Sequence, residues 1–432
     1  MSRKDGDTKD TKDIKDVYGH RAGRHASVNV GTSHSSRLRP LEGLHRYIHI
    51  NTRKRPVLNQ IRSTSWQRKS QQPRSLVTDS IPPILIPPAI FLGLLLGLWT
   101  WKCFWIVVLQ NKLLYLSWLP PFSRSDKISE YEAECKPVQW KEKQIRSLDG
   151  TKLAVCEGQI PVEHSRKPVD PTTKIKSVVI CYFQGNGGST PLRLPLLSQV
   201  LRTISSMSKT TTSDETTFTI VALSYRGYWT SSGRPTQSGI ELDAQAFLNW
   251  VSETYSSPET DLQVVLWGHS LGSSIASSAL STYLSHRGAE RATDGTKLAP
   301  ISGLIMEAPT SNIKDMLISL YPQRWLPYRY LWPFSWNTWC NATALARLAD
   351  WQDQVSHNNH PPPSIPPIFI LSAEKDEVIP SYVAGELEQK ARDLGLVVSR
   401  KEVLGAMHTE GPMKADGREA LVRFILENTS RR

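Results

Sequence analysis

Gly268-His269-Ser270-Leu271-Gly272 is a G-x-S-x-G pentapeptide, a spacing suited to a nucleophilic serine held on a sharp strand-to-helix turn. A serine hydroxyl is a weak nucleophile by itself. It needs an imidazole to accept its proton and a carboxylate to orient that imidazole. Downstream, Ile368-Phe-Ile-Leu-Ser-Ala-Glu-Lys-Asp-Glu-Val-Ile-Pro sets Asp376 just past an apolar run, with Glu374 and Glu377 as alternatives. The run Val398 to Leu404 then leads into Gly405-Ala-Met-His408, and His408 is the only histidine after Asp376. Ser270, Asp376 and His408 are therefore the expected nucleophile, orienting acid and general base. A tetrahedral intermediate also needs backbone N–H donors aimed at its oxyanion. Leu271, the residue after the nucleophile, supplies one. The Gly-rich stretch Phe183-Gln184-Gly185-Asn186-Gly187-Gly188 supplies the other, at Asn186.

Such side chains work only if rigid elements hold them. From about Val138 onward, short β-branched runs alternate with helix-like stretches. The runs are Ser177 to Phe183, Phe218 to Leu223, Gln263 to Trp267, Gly303 to Met306, Ile368 to Leu371 and Val398 to Leu404. Gly239 to Thr254 and Ser273 to Leu284 read as helices between them. Continuous apolar strands separated by helices predict a mostly parallel sheet covered on both faces. Gln139 to Ile145 and Lys152 to Gln159 flank Asp149-Gly150, which predicts an antiparallel hairpin at the start. The pentapeptide then follows a strand and opens a helix, and each later candidate lies just beyond a strand.

The N-terminal part has another character. The chain has 432 residues and a net charge of +12, and residues 1–80 hold 17 Lys and Arg against 7 Asp and Glu. The excess of 17 − 7 = 10 leaves only +2 for the remainder, so the folded part is not a nucleic-acid binder. Polar and poor in aromatics, residues 1–80 are expected to be a disordered, solvated basic tail, with contact to anionic lipid as the sharper alternative and a mitochondrial presequence as the third. Ser80 to Trp101 carry no charge, and Cys103 to Leu109 are apolar again. Pro87 and Pro88 suit the first turn of a helix reaching Leu109, about 34 Å long at about 1.5 Å per residue. That length crosses a bilayer core of about 30 Å, so residues 81–110 are expected to be a single transmembrane anchor. Lys102 sits where it can snorkel, and Trp99, Trp101 and Trp105 suit the interface. Arg62, Arg68, Lys69 and Arg74 outnumber Lys112, Arg124 and Lys127 on the far flank. This bias favours a cytosolic N-terminus with residues 111–432 lumenal, in the endoplasmic reticulum. The sequons Asn341-Ala-Thr and Asn428-Thr-Ser fit that orientation. Of the five cysteines, Cys135 and Cys340 are the pair available for a disulfide in an oxidising compartment.

Taken together, these motifs resemble the membrane-anchored ABHD-type α/β hydrolases, the branch with monoacylglycerol and lysophosphatidylserine lipases and a polarity-associated fungal relative. The matching stretches are Gln184-Gly-Asn-Gly-Gly with Arg193-Leu-Pro, Tyr225-Arg-Gly-Tyr, Gly233-Arg-Pro-Thr with Gly239 and Asp243-Ala, and Trp267-Gly-His-Ser-Leu-Gly. Met306-Glu-Ala-Pro-Thr-Ser-Asn, Ala373-Glu-Lys-Asp-Glu-Val-Ile-Pro and Met407-His complete the set, which spans about Leu113 to Phe424. The resemblance implies the α/β-hydrolase fold and a Ser270–Asp376–His408 triad. It also implies that Arg226 and Asp243 support the fold rather than react. One departure stands out: Gln184 replaces the histidine usual in the family's His-Gly-Asn.

Arg324 to Trp339 contains seven aromatics interrupted by Pro327 and Pro333. This stretch is expected to belong to a cap inserted at about 311–360, over the site and against acyl chains or the membrane surface. With an anchor close by, a lipid ester (lysophospholipid or monoacylglycerol) is the expected substrate, hydrolysed without metal or organic cofactor. Protein depalmitoylation and a non-catalytic membrane scaffold are the alternatives.

Overall fold

The computed structural model describes residues 82–161, 174–211, 216–290, 299–356 and 365–430. The basic tail falls outside the described residues, as do 291–298 and 357–364.

The chain enters through α1 (Ile86–Val108), started by prolines in its first turn and with no buried residue along its length. It is the one described helix long and apolar enough to cross a membrane. Two short helices, α2 (Gln110–Leu114) and α3 (Glu132–Cys135), lead to the hairpin β1 (Gln139–Arg146) and β2 (Lys152–Gln159). Gly150 takes the left-handed conformation at the hairpin turn, as Asp-Gly turns require. The chain then alternates through β3 (Ile175–Phe183), α4 (Leu194–Thr211), β4 (Thr216–Ser224), α5 (Gln237–Tyr255), β5 (Thr260–His269), α6 (Leu271–Glu290) and β6 (Ile301–Glu307). An insertion carrying α7 (Ile313–Leu320) and α8 (Asn341–Ser356) precedes β7 (Ile368–Ala373), α9 (Tyr382–Asp393), β8 (Val398–Val403) and α10 (Ala415–Ser430).

The eight strands form one sheet in the order β1-β2-β4-β3-β5-β6-β7-β8. The β1–β2 and β2–β4 pairs are antiparallel, and every pair from β4–β3 onward is parallel. Alternation along β3 divides the core. Val179, Cys181 and Phe183 pack beneath α5, α6, α8 and α9, whereas Val178, Ile180 and Tyr182 face α4 and α10. Each of these fully buried side chains contributes about 1.5–3 kcal/mol relative to exposure, which is why the central strands read as unbroken apolar runs.

The expected helices are present and somewhat longer. In particular α6 begins at Leu271 itself, so no spacer separates the pentapeptide from the helix. The aromatic segment forms two 3-10 turns, Pro327–Tyr330 and Trp332–Phe334, in place of a longer helix. Of its aromatics, Tyr328 and Trp339 are buried, while Trp325, Tyr330, Trp332, Phe334 and Trp336 are exposed. Cys135 and Cys340 do not pair; both are free thiols, Cys135 in the core under α4 and Cys340 bridged to Asn312.

The sequons lose their value for topology. Asn341 is fully buried, its amide donating to Ser273 Oγ at 2.9 Å and to the Thr310 carbonyl at 2.6 Å. Its oxygen accepts from Ser277 Oγ at 2.8 Å. A glycan there is incompatible with this packing. Asn428 lies within α10, and its amide is engaged with the Phe424 carbonyl at 2.8 Å.

Arg226 and Asp243 form a buried structural pair. The guanidinium donates to Asp243 at 2.7 Å, to Asp149 at 2.8 Å and to Ser147 Oγ at 3.1 Å. Gly239 makes room for it, since a Cβ there would sit 2.6 Å from Arg226 Cδ. This network pins the β1–β2 turn to α5. Asp243→Ala leaves a largely buried cation without its main partner and should destabilise the fold by about 3–5 kcal/mol, measured as a loss of denaturant midpoint.

Candidate active site

The carboxyl ends of β5, β7 and β8 converge on one edge of the sheet. Ser270 follows β5 directly with φ of +53°, a left-handed conformation that a serine adopts only under constraint. Its N–H donates to the Glu307 carbonyl at 2.8 Å, and its carbonyl accepts from Ser273 N at 2.9 Å. The flanking glycines have a steric cause. A Cβ on Gly272 would collide with the Phe183 carbonyl at the end of β3, and one on Gly268 would collide with the Gly272 carbonyl. Only without those carbons can α6 start this close to β3. Among the described residues, the Ser270 hydroxyl has no hydrogen-bond partner and the residue is 6% exposed.

Asp376 and His408 meet across the ends of β7 and β8. His408 Nδ1 lies 2.8 Å from Asp376 Oδ2 and 3.0 Å from Oδ1. Asp376 is itself oriented by the N–H groups of Val378 at 2.9 Å and Ile379 at 2.7 Å. The other two acids of this loop serve the backbone: Glu374 accepts from Gly405 N at 2.7 Å and Glu377 from His408 N at 3.0 Å. A carboxylate holding Nδ1–H leaves Nε2 free to accept a proton.

The Gly-rich loop after β3 is braced from several directions. Tyr225 donates its hydroxyl to the Gln184 carbonyl at 2.9 Å, and Tyr228 donates to the Asn186 carbonyl at 2.9 Å. Gln184, where the family's histidine is expected, is buried. Its oxygen accepts from Thr190 Oγ1 at 3.0 Å, and its amide nitrogen is buried without a partner. The loop is also tied to the segment after α1. Leu116 N donates to the Asn186 carbonyl at 2.8 Å, Gly188 N donates to the Leu119 carbonyl at 2.8 Å, and Ser189 bonds Asp126. With the Asn186 carbonyl doubly engaged, the peptide plane between Asn186 and Gly187 is fixed. Leu271, first residue of α6, has one of the N–H groups that a helix start leaves without an intrahelical acceptor.

Behind Ser270 lies a cluster that sequence reasoning missed. His269 is buried, with Nδ1 2.8 Å from Arg193 Nη2 and Nε2 3.4 Å from the His408 carbonyl. The same Arg193 nitrogen lies 3.2 Å from Nε2, and because a guanidinium can only donate, the imidazole is the acceptor in this contact. Burial, and then the Arg193 and His408 charges, keep the imidazole far below its usual pKa and hence neutral. Glu307 accepts from Trp267 Nε1 at 2.8 Å through one oxygen, and its other oxygen has no hydrogen-bond partner. Burial pushes its carboxyl up to about 7, against the opposing pull of Arg193. The 3.9 Å approach of His269 Nε2 to Glu307 is therefore not an ion pair at neutral pH, because the imidazole is uncharged. The available signal was weak: Arg193 follows the Gly-rich loop by a few residues, and Glu307 ends an apolar strand where a carboxylate is out of place.

A constrained serine between β5 and α6, a histidine–aspartate pair at later strand ends and a braced Gly-rich loop after β3 are the marks of an α/β hydrolase. The model of the alpha/beta hydrolase family matches residues 203–424, about half of the chain, and the chain belongs to that family. It is similar to the lysophosphatidylserine lipase ABHD12 of Xenopus tropicalis, 31% identical over 209 residues that cover 48% of this chain and 45% of the relative. It is also similar to protein bem46 of Schizosaccharomyces pombe, 23% identical over 271 residues, 63% of this chain and 71% of the relative. The chain thus spans less than half the length of the lysophosphatidylserine lipase it matches. Among solved structures, an α/β hydrolase from Vibrio vulnificus covers 74% of this chain and 91% of its own at 15% identity, with a TM-score of 0.49.

The buried Glu307 makes a pH-dependent prediction. A carboxyl raised in the folded state favours folding while protonated; that contribution is complete below about pH 4.5 and is lost as the pH rises through about 7. Glu307→Gln keeps the Trp267 bond and cannot ionise. Its stability relative to the parent chain should rise between about pH 5 and about pH 8, by at most about 1.4 kcal/mol per pH unit. Thermal unfolding across that range measures this, and a flat difference would mean that Glu307 does not titrate there.

Proposed function

We propose that this chain is a membrane-anchored serine hydrolase that cleaves lipid esters, with lysophospholipid or monoacylglycerol as substrate. The observation that carries the reading is the strained Ser270, at φ of +53° on the β5–α6 turn, on the same sheet edge as a His408–Asp376 pair 2.8 Å apart. Similarity to a lysophosphatidylserine lipase and the single apolar helix α1 support the lipid substrate and the anchor. In this layout residues 1–80 are a basic tail touching anionic lipid, 81–110 the anchor and 111–432 the hydrolase domain, with its cap at about 311–360.

The chemistry runs in two halves. Ser270 Oγ attacks the ester carbonyl while His408 Nε2 takes the hydroxyl proton, and Asp376 stabilises the resulting imidazolium. The negative oxygen of the tetrahedral intermediate accepts hydrogen bonds from the N–H groups of Leu271 and Asn186. Collapse breaks the ester C–O bond, and His408 gives its proton to the departing alcohol, leaving an acyl-Ser270. Water then attacks the acyl carbon, giving its proton to His408, and the fatty acid leaves as Ser270 regains a proton. His269, Arg193 and Glu307 position the backbone on which Ser270 and His408 ride.

A fluorophosphonate probe tests the reading directly. The full chain in membranes should be labelled, and Ser270→Ala should abolish the label. Asp376→Asn should lower ester turnover by about 10⁴-fold by fixing the wrong imidazole tautomer. A wild-type chain that resists the probe would favour the scaffold alternative. Orientation rests on the flanking charges alone, with the N-terminus cytosolic and the catalytic domain in the lumen of the endoplasmic reticulum. Protease protection of the C-terminal domain in sealed microsomes tests it; complete digestion from outside would favour a cytosolic thioesterase acting on acylated proteins.

A further inference from the structure

An apolar cavity of about 240 Å³ lies at the seam between the membrane-proximal end of α1 and the cap. Its walls come from three elements: Ile106 and Val107 on α1, Met316 and Leu317 on α7, and Leu331 and Phe334 on the 3-10 turns. We propose that this cavity seats the acyl chain of a lipid that arrives sideways from the bilayer, with the anchor helix itself forming one wall of the substrate site. The proposal rests on the lipid-ester reading above and deepens it.

Three observations carry it. First, the apolar surface is continuous. No residue of α1 is buried, so its apolar side chains extend along the helix to the cavity, and acyl chains lying against the helix reach it without crossing water. Second, the cap is fastened to α1 at this level. Lys102 Nζ lies 4.3 Å from the centre of the Tyr328 ring, and the Trp99 and Trp325 rings are 6.0 Å apart. The exposed Trp332, Phe334 and Trp336 beside it are the residue types that settle at a bilayer surface. Third, the cavity has a polar end, formed by Gln110, Ser335 and Asn337. Gln110 accepts from Trp336 N at 2.6 Å, Asn337 donates to Asn111 at 2.7 Å, and Tyr115 donates to Asn337 at 2.7 Å. From there the chain leads at once to Leu116, which pairs with the Gly-rich loop. On the opposite side Ile313 lines the cavity three residues after Thr310, whose hydroxyl is 3.0 Å from Ser274 on the first turn of α6. Tail in the apolar part and ester at the polar end is the only orientation that matches this polarity.

Photolabelling reads occupancy without turnover. The full-length Ser270→Ala chain, in phosphatidylcholine nanodiscs, is irradiated with a monoacylglycerol carrying a diazirine in its oleoyl chain. Cross-links should map to Ile106–Leu114 and to Met316–Leu320 and should be competed by unlabelled monoolein. Labels confined to the stretch Phe91–Trp101, or labels that monoolein does not compete, would overturn the proposal. Because Ser270 is absent from this experiment, its outcome is independent of whether Ser270 is the nucleophile. In the active chain, Leu317→Trp shortens the cavity. Each excluded methylene is worth about fourfold in affinity. The ratio of kcat/KM for an oleoyl ester to that for a butyryl ester should therefore fall more than tenfold, and an unchanged ratio would also overturn the proposal. Leu320→Trp, at the exposed rim, serves the same purpose if the first variant does not fold.

Discussion

The meeting of α6 with the end of β3 governs this structure. The Phe183 carbonyl occupies the space where Gly272 would otherwise carry a Cβ, so the helix starts within the van der Waals limit of the strand. Ser270 takes its left-handed conformation at this close approach, and Gly272 meets the Phe183 and Gln184 carbonyls where the Gly-rich loop begins. The strained serine and the start of α6 are therefore parts of a single packing event between two elements. The parallel pairing of Phe183 with Gly268 and of His269 with Glu307 fixes where along the sheet that event occurs. Strain of this kind costs of order 1–3 kcal/mol and persists only where the surroundings over-determine it.

The central architecture was legible because its causes are local and repeated. Apolar β-branched runs have no stable place except a covered parallel sheet, and Asp149-Gly150 has few uses other than a hairpin turn. The placement of Ser270, Asp376 and His408 just beyond strand ends was legible through order along the chain, since each follows a strand whose pattern is strong. The choice of Asp376 over Glu374 and Glu377 was less so. All three acids sit within four residues, and only the loop's path decides which of them faces Nδ1 of His408 while the others cap backbone N–H groups.

Other features were hidden because they depend on long-range contacts between unremarkable residues. Arg193, His269 and Glu307 are far apart in sequence, and nothing in their spacing announces a cluster. The Asn341 sequon misleads for a related reason: three residues match the acceptor pattern, yet the asparagine amide is spent on Ser273, Ser277 and Thr310. Gln184 is the converse case. Taken alone it looks like damage to a motif, but Tyr225, Tyr228 and Leu116 brace the loop through its backbone carbonyls, independently of the side chain at 184.

The contacts of Gln110, Asn111 and Tyr115 bear on where this molecule can be divided. Hydropathy puts the boundary between anchor and enzyme at about residue 110, but those residues hold Trp336, Asn337 and Trp339 on one side and lead to Asn186 on the other. The segment that follows α1 is consequently part of the hydrolase fold's framework. A proteolytic cut after the helix that spared Gln110 would keep the bracing of the Gly-rich loop but lose the cavity wall that α1 provides. One a dozen residues later would free a protein whose sheet is complete but whose Gly-rich loop has also lost its support, so a complete sheet and a complete site part company within a single short stretch of chain.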